Sequence, residues 1–160
     1  MIRREKLIAV ISSGDIHPGG RDGWALAITD GRIVGTRRPE AVGVPEPFLW
    51  VAGRSADEGR DAAEKMAAGL IERKRFELSK EGIFKILYEA PGLFFGGRVV
   101  FESVGERVDL GISVLSAWNR STLLTVRALV DSLLAFAPDK LYDEKTGALV
   151  RDKLGTHGAY

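Results

Sequence analysis

The sequence predicts an α+β domain: an antiparallel sheet or open barrel of about six to eight strands, one lateral helix near residues 55–75, and a C-terminal capping helix near 121–137. Short apolar runs punctuated by turn residues fill the first half. A strict alternation follows at Val108, Leu110, Ile112 and Val114, and two segments carry apolar residues at helical spacing.

The first strand is expected over 6–12, where "KLIAVIS" is short, apolar and rich in β-branched residues. "WALAIT" (24–29) and "RIVGTR" (32–37) flank Asp30-Gly31, which predicts a hairpin closed by a type I′ turn. Pro39, Pro45 and Pro47 space a connection to a further strand, "FLWVAG" (48–53).

The lateral helix starts at a capping box, Ser55 with Glu58. Asp57 and Asp61 sit at its positive end and Arg73, Lys74 and Arg75 at its negative end. Its apolar stripe is Ala63, Met66, Ala67, Leu70 and Ile71, thinned by Gly59 and Gly69, which suits a helix on the side of the domain.

"GIFKILYE" (82–89) and "RVVFES" (98–103) are strands joined through "PGLFFGG", and the alternating strand follows Gly105-Glu106. The last helix runs from Ser121 to Ala137 and stops at Pro138. Leu123, Val126, Val130, Leu133, Leu134 and Ala137 face the core, and Arg127 pairs with Asp131. Lys145-Thr146-Gly147 suits a small hairpin. Residues 1–150 are expected as one domain with a helical insertion at about 54–75, and 151–160 as a flexible tail.

Two stretches resemble a known family. "GWALAITDGRIVGTRR" is similar to the early hairpin of bacterial and archaeal pleckstrin-homology-like domains, and "FELSKEGIFKILYEAPGLFFGGRVVFESVGERVDLGI" with "TLLTVRALVDSLLAFAPDKL" resembles their later strands and C-terminal helix. The resemblance covers 24–38 and 76–141 and implies a pleckstrin-homology-like open barrel capped by that helix; the helix at 55–75 is an insertion relative to it. Phosphoinositide binding is not implied, because the loop joining the first two strands, where family members place their basic residues, offers Arg21 alone.

Composition narrows the function classes. With 23 basic against 22 acidic residues the net charge is +1, so no broad positive field exists for nucleic acid or an anionic membrane. The absence of cysteine excludes disulfides, thiolate metal sites and a cysteine nucleophile. "LIAVI" is shorter than a signal-peptide core, and the most apolar long stretch, 121–137, carries Arg127 and Asp131, so a cytoplasmic protein is expected. Asn119 is the only amide side chain, which with many charges points to a thermophilic source.

Two places carry candidate chemistry. "SSGDIHPGGRDGW" (12–24) collects Asp15, His17, Arg21 and Asp22 among glycines. Gly14 and Gly19 have the spacing of a phosphate loop, but Gly20-Arg21 replaces its lysine and hydroxyl, and a strand follows instead of a helix. Asp15 and His17 would point the same way on an extended segment, with Asp22 as a third ligand, yet a closed transition-metal site wants three or four ligands, and His157 lies far along the chain. The default reading is therefore a strand connection, with no catalytic residue, metal or cofactor implied.

The second place is "PGLFFGG" (91–97). As a protruding knob, Leu93, Phe94 and Phe95, with Arg98 beside them, form an interaction surface. The default for Phe94 or Phe95 taken singly is that the hairpin curls over and packs it into the core. Trp24, Trp50 and Trp118 are read as core residues in the same way.

The expected function is a non-catalytic binding or scaffold domain acting through protein contacts, a homodimer being one form of them. The alternatives are a small enzyme or ligand-binding protein using the 12–23 loop, and a peripheral membrane module using Phe94 and Phe95. Membrane contact is not favoured, because only Lys85 and Arg98 lie near in sequence.

Overall fold

The computed structural model of the chain describes residues 5–17, 23–37, 47–55, 57–115 and 120–157. Ten strands and three α-helices follow one another: β1 (Leu7–Ser13), β2 (Ile16–His17), β3 (Trp24–Thr29), β4 (Arg32–Arg37), β5 (Phe48–Val51), α1 (Arg60–Glu72), β6 (Phe76–Ser79), β7 (Ile83–Glu89), β8 (Gly97–Ser103), β9 (Glu106–Ile112), α2 (Arg120–Phe136), β10 (Leu141–Asp143) and α3 (Val150–His157). They form two five-stranded sheets, ordered β5-β1-β3-β4-β6 and β10-β7-β8-β9-β2, which do not close into a barrel. Every pairing is antiparallel except β10 with β7.

The first sheet is covered on both faces, which is why β1 and β3 read as continuous apolar runs. One face carries Leu7, Val10, Ala25, Ala27, Val34 and Trp50 and meets Ala63, Ala67 and Leu70 of α1. The other carries Ile11, Leu26, Ile28 and Ile33 and shares the main core with the second sheet and α2. A strand buried on both sides has no polar face to alternate with. The second sheet gives the main core its inner face only, so Leu110 and Ile112 are buried while Asp109 is exposed, as the alternation predicts.

Helix α2 fills that core with Val126, Leu129, Leu133 and Phe136. Leu123, expected on the buried stripe, is 40 % exposed, because the buried arc is centred on Thr122, Thr125, Val126 and Leu129. Asp131 lies 3.9 Å from Arg54.

The hairpin at 24–37 is present, with Ile28 opposite Ile33, but its turn differs from the expected type I′. Neither Asp30 nor Gly31 has positive φ. The Thr29 hydroxyl accepts hydrogen bonds from the N–H groups of Gly31 (3.2 Å) and Arg32 (3.1 Å) and organises the turn instead. Gly35 leaves room for the Phe76 ring, which stacks on Trp24 at 5.7 Å.

The helix also starts later than a capping box of Ser55 and Glu58 predicts, and the Glu58 side chain lies outside the described ones. Ser55 Oγ accepts a hydrogen bond from the Val51 N–H at 3.0 Å, a 3-10 turn occupies Asp57–Gly59, and α1 begins one step later with no side-chain cap. Part of the segment expected as a tail, 151–160, lies in α3, where buried Val150 joins the main core and Lys153 pairs with Asp143. The hairpin around Lys145-Thr146-Gly147 is a tight turn closed by a bridge between Tyr142 and Leu149.

Candidate interaction surface

Of the candidates in the glycine-rich stretch, Asp15 and His17 are among the described residues. Asp15 sits in the turn between β1 and β2, and its carboxylate accepts hydrogen bonds from the hydroxyls of Ser121 and Thr122, each at 3.0 Å, in the first turn of α2. Ser13 Oγ also donates to it at 3.3 Å and accepts from Thr125 at 3.0 Å. A carboxylate at a helix N-terminus meets the positive end of the helix dipole, so Asp15 ties α2 to the first strands. Asp15→Ala is expected to cost about 1–3 kcal/mol in denaturant unfolding, because it strips an acceptor from buried Thr122.

His17 has different neighbours. It pairs with Gly111 at the edge of the second sheet, where a β-carbon at 111 would come within 3.2 Å of its ring, and its buried Nδ1 has no hydrogen-bond partner among the described residues. Asp15 and His17 therefore do not converge on one site. Arg21 and Asp22 lie outside the described residues. Among the described residues, no three carboxylate or imidazole side chains gather as they would to hold a metal.

The 91–97 segment is different. Leu93, Phe94 and Phe95 are 67 %, 86 % and 79 % exposed, so the packed arrangement expected for Phe94 and Phe95 does not occur. The reason is that the backbone is fixed on both flanks and turns the side chains outward. The Gly92 N–H donates to the Phe95 carbonyl at 2.8 Å, and the Leu115 N–H donates to the Gly92 carbonyl at 2.8 Å. At the base, Gly97 packs so closely that a β-carbon there would lie 2.2 Å from the Glu89 carbonyl oxygen. The tip is a held turn with an apolar end.

Arg98, beside the tip and partly exposed, is a clamp at its base. Its guanidinium grips Glu144 through two nitrogens and lies 3.7 Å from both Glu89 and Asp109. The hydrogen bond to Glu144 holds the Arg98 pKa above its ordinary value, and the same bond holds the Glu144 carboxyl below the usual carboxylate range. β7, β8, β9 and the turn after β10 are thereby joined under the knob.

Three residues that the sequence reading placed inside or left aside add to this end of the molecule. Val114 lies beyond the end of β9 and is 42 % exposed, and Leu123 and Leu124 emerge from α2, Leu124 at 52 %. The available signal was the adjacency of Leu123 and Leu124, since one helix face cannot bury a residue and its neighbour equally.

The chain matches no protein-family model, no curated protein and no solved structure. The surface itself therefore carries the functional reading. Among the described residues, no helix is long and apolar enough to cross a membrane.

Proposed function

We propose that this chain is a binding domain on a pleckstrin-homology-like core, docking on a protein partner through Leu93, Phe94 and Phe95. The observation that carries this reading is the exposure of three consecutive large apolar side chains on a hydrogen-bonded turn. Burying such side chains on association contributes about 1.5–3 kcal/mol each. A turn already fixed in its docking shape loses little entropy when it binds.

The charges beneath the knob favour protein over an anionic lipid surface. Glu89, Asp109 and Glu144 outnumber Arg98 and Arg107, the two arginines they pair with, where a membrane-inserting loop would have a basic rim. The family reading is supported by the run of antiparallel strands through β9 followed by an apolar helix, with α1, β10 and α3 as additions to that order.

The experiment is photocrosslinking in cells with a photoreactive phenylalanine analogue at position 94, and at exposed Glu64 on α1 as a control. Protein adducts specific to position 94 are expected. Lipid adducts, or none beyond the control, would overturn the reading.

A further inference from the structure

Exposed apolar side chains collect at the end of the fold that carries the tip. Leu93, Phe94, Phe95, Val114, Leu123 and Leu124 belong to segments that hydrogen bonds join in series. Gly92 accepts from Leu115, the Ser113 N–H donates to the Asp15 carbonyl at 2.9 Å, and the Asp15 carboxylate accepts from Ser121 and Thr122. The tip stands at one extreme of this series and the start of α2 at the other. Phe84 and Val104, also exposed, lie at the far ends of β7 and β8.

The two extremes differ in charge. Exposed Arg120 opens α2, whereas at the root of the tip Glu89, Asp109 and Glu144 outnumber Arg98 and Arg107. A surface with an apolar centre, a cation on one side and an anion on the other is complementary to itself when turned by a two-fold axis, as a symmetric dimer requires. The size also fits. The six side chains expose on the order of 600 Å² per copy, against roughly 800 Å² per partner in a standard interface.

We infer that the occupant of this surface is a second copy of the chain, in a two-fold dimer that buries the six apolar side chains and sets Arg120 of each copy against Glu89 of the other. The inference rests on the docking role given above to the tip. The dimer is apolar at its centre, and its rim pairs set orientation more than affinity.

Sedimentation equilibrium of the full chain tests it. The wild type is expected to dimerise with a micromolar dissociation constant. Phe94→Ser with Phe95→Ser is expected to weaken the dimer roughly tenfold or more. Arg120→Glu is expected to weaken it less. A wild type monomeric into the high micromolar range would overturn the dimer, as would one indifferent to the tip substitutions. The position-94 crosslink separates the two proposals. Adducts with a different protein, from a monomeric chain, overturn the dimer and leave the docking role standing, whereas no protein adduct overturns both.

Discussion

Replacing Phe136 by alanine is expected to cost about 3–5 kcal/mol, the range for deleting a fully buried aromatic side chain. Phe136 is inaccessible to solvent and belongs to the core that both sheets share with α2, with Lys80 Nζ 5.8 Å from the ring centroid. Both sheets and α2 contribute to the core around the ring, and α2 is tied to the first strands at its other end through Asp15. Since domains of this size are stable by roughly 5–15 kcal/mol, the variant should be only marginally folded, with a clear drop in the denaturant midpoint.

The second large effect is expected at Gly97. A β-carbon there would stand 2.2 Å from the Glu89 carbonyl oxygen and 2.6 Å from the Pro91 nitrogen, both backbone atoms that no rotamer change can move. Gly97 is not in the left-handed region, so the penalty of Gly97→Ala comes from contact and not from φ. Overpacking of this kind costs about 1–3 kcal/mol. Relief requires the ends of β7 and β8 to separate, which loosens the turn that displays Phe94 and Phe95. Faster amide hydrogen exchange at Gly92 and Leu115, whose N–H groups hold that turn, is the accompanying readout.

Particular residues show how far the sequence carries the fold. "LIAVIS" and "WALAIT" identify β1 and β3 because a sheet buried on both faces needs apolar residues at every step. β9 is readable for the opposite reason, its outward side chains being polar. Of the strands that escaped, β2 of two residues and β10 of three are too short to have a period, whereas β6 alternates Phe76 and Leu78 inward with Glu77 and Ser79 outward, a signal the sequence did carry. Pairing with distant partners makes the two shortest, and β10 exists because Leu141 lies beside Ile86 in parallel register. The hairpin at Asp30-Gly31 was legible while its chemistry was not, because Thr29 supplies through its hydroxyl what the glycine was expected to supply through φ.

The candidate surface divides similarly. Pro91, Gly92, Gly96 and Gly97 bracket a turn that anyone can find in the sequence. Whether Leu93, Phe94 and Phe95 go in or out is not written there, since the same apolar letters serve a core and a knob. The direction is set by the Gly92–Leu115 hydrogen bond and by the close fit of Gly97, both contacts between segments distant in sequence or separated by a turn. Asp15 shows the converse: a residue that looks like chemistry in a glycine-rich loop serves as the acceptor that anchors α2.

The measurement that tests the exposed knob most directly is denaturant unfolding of the Phe94→Ser, Phe95→Ser variant at concentrations low enough to keep the chain monomeric. If the two rings pack against nothing in the single chain, stability should stay within about 0.5 kcal/mol of the wild type, as for ordinary surface substitutions. A loss of about 3 kcal/mol or more, comparable to removing a buried ring, would mean that the tip is part of the core and would contradict the account.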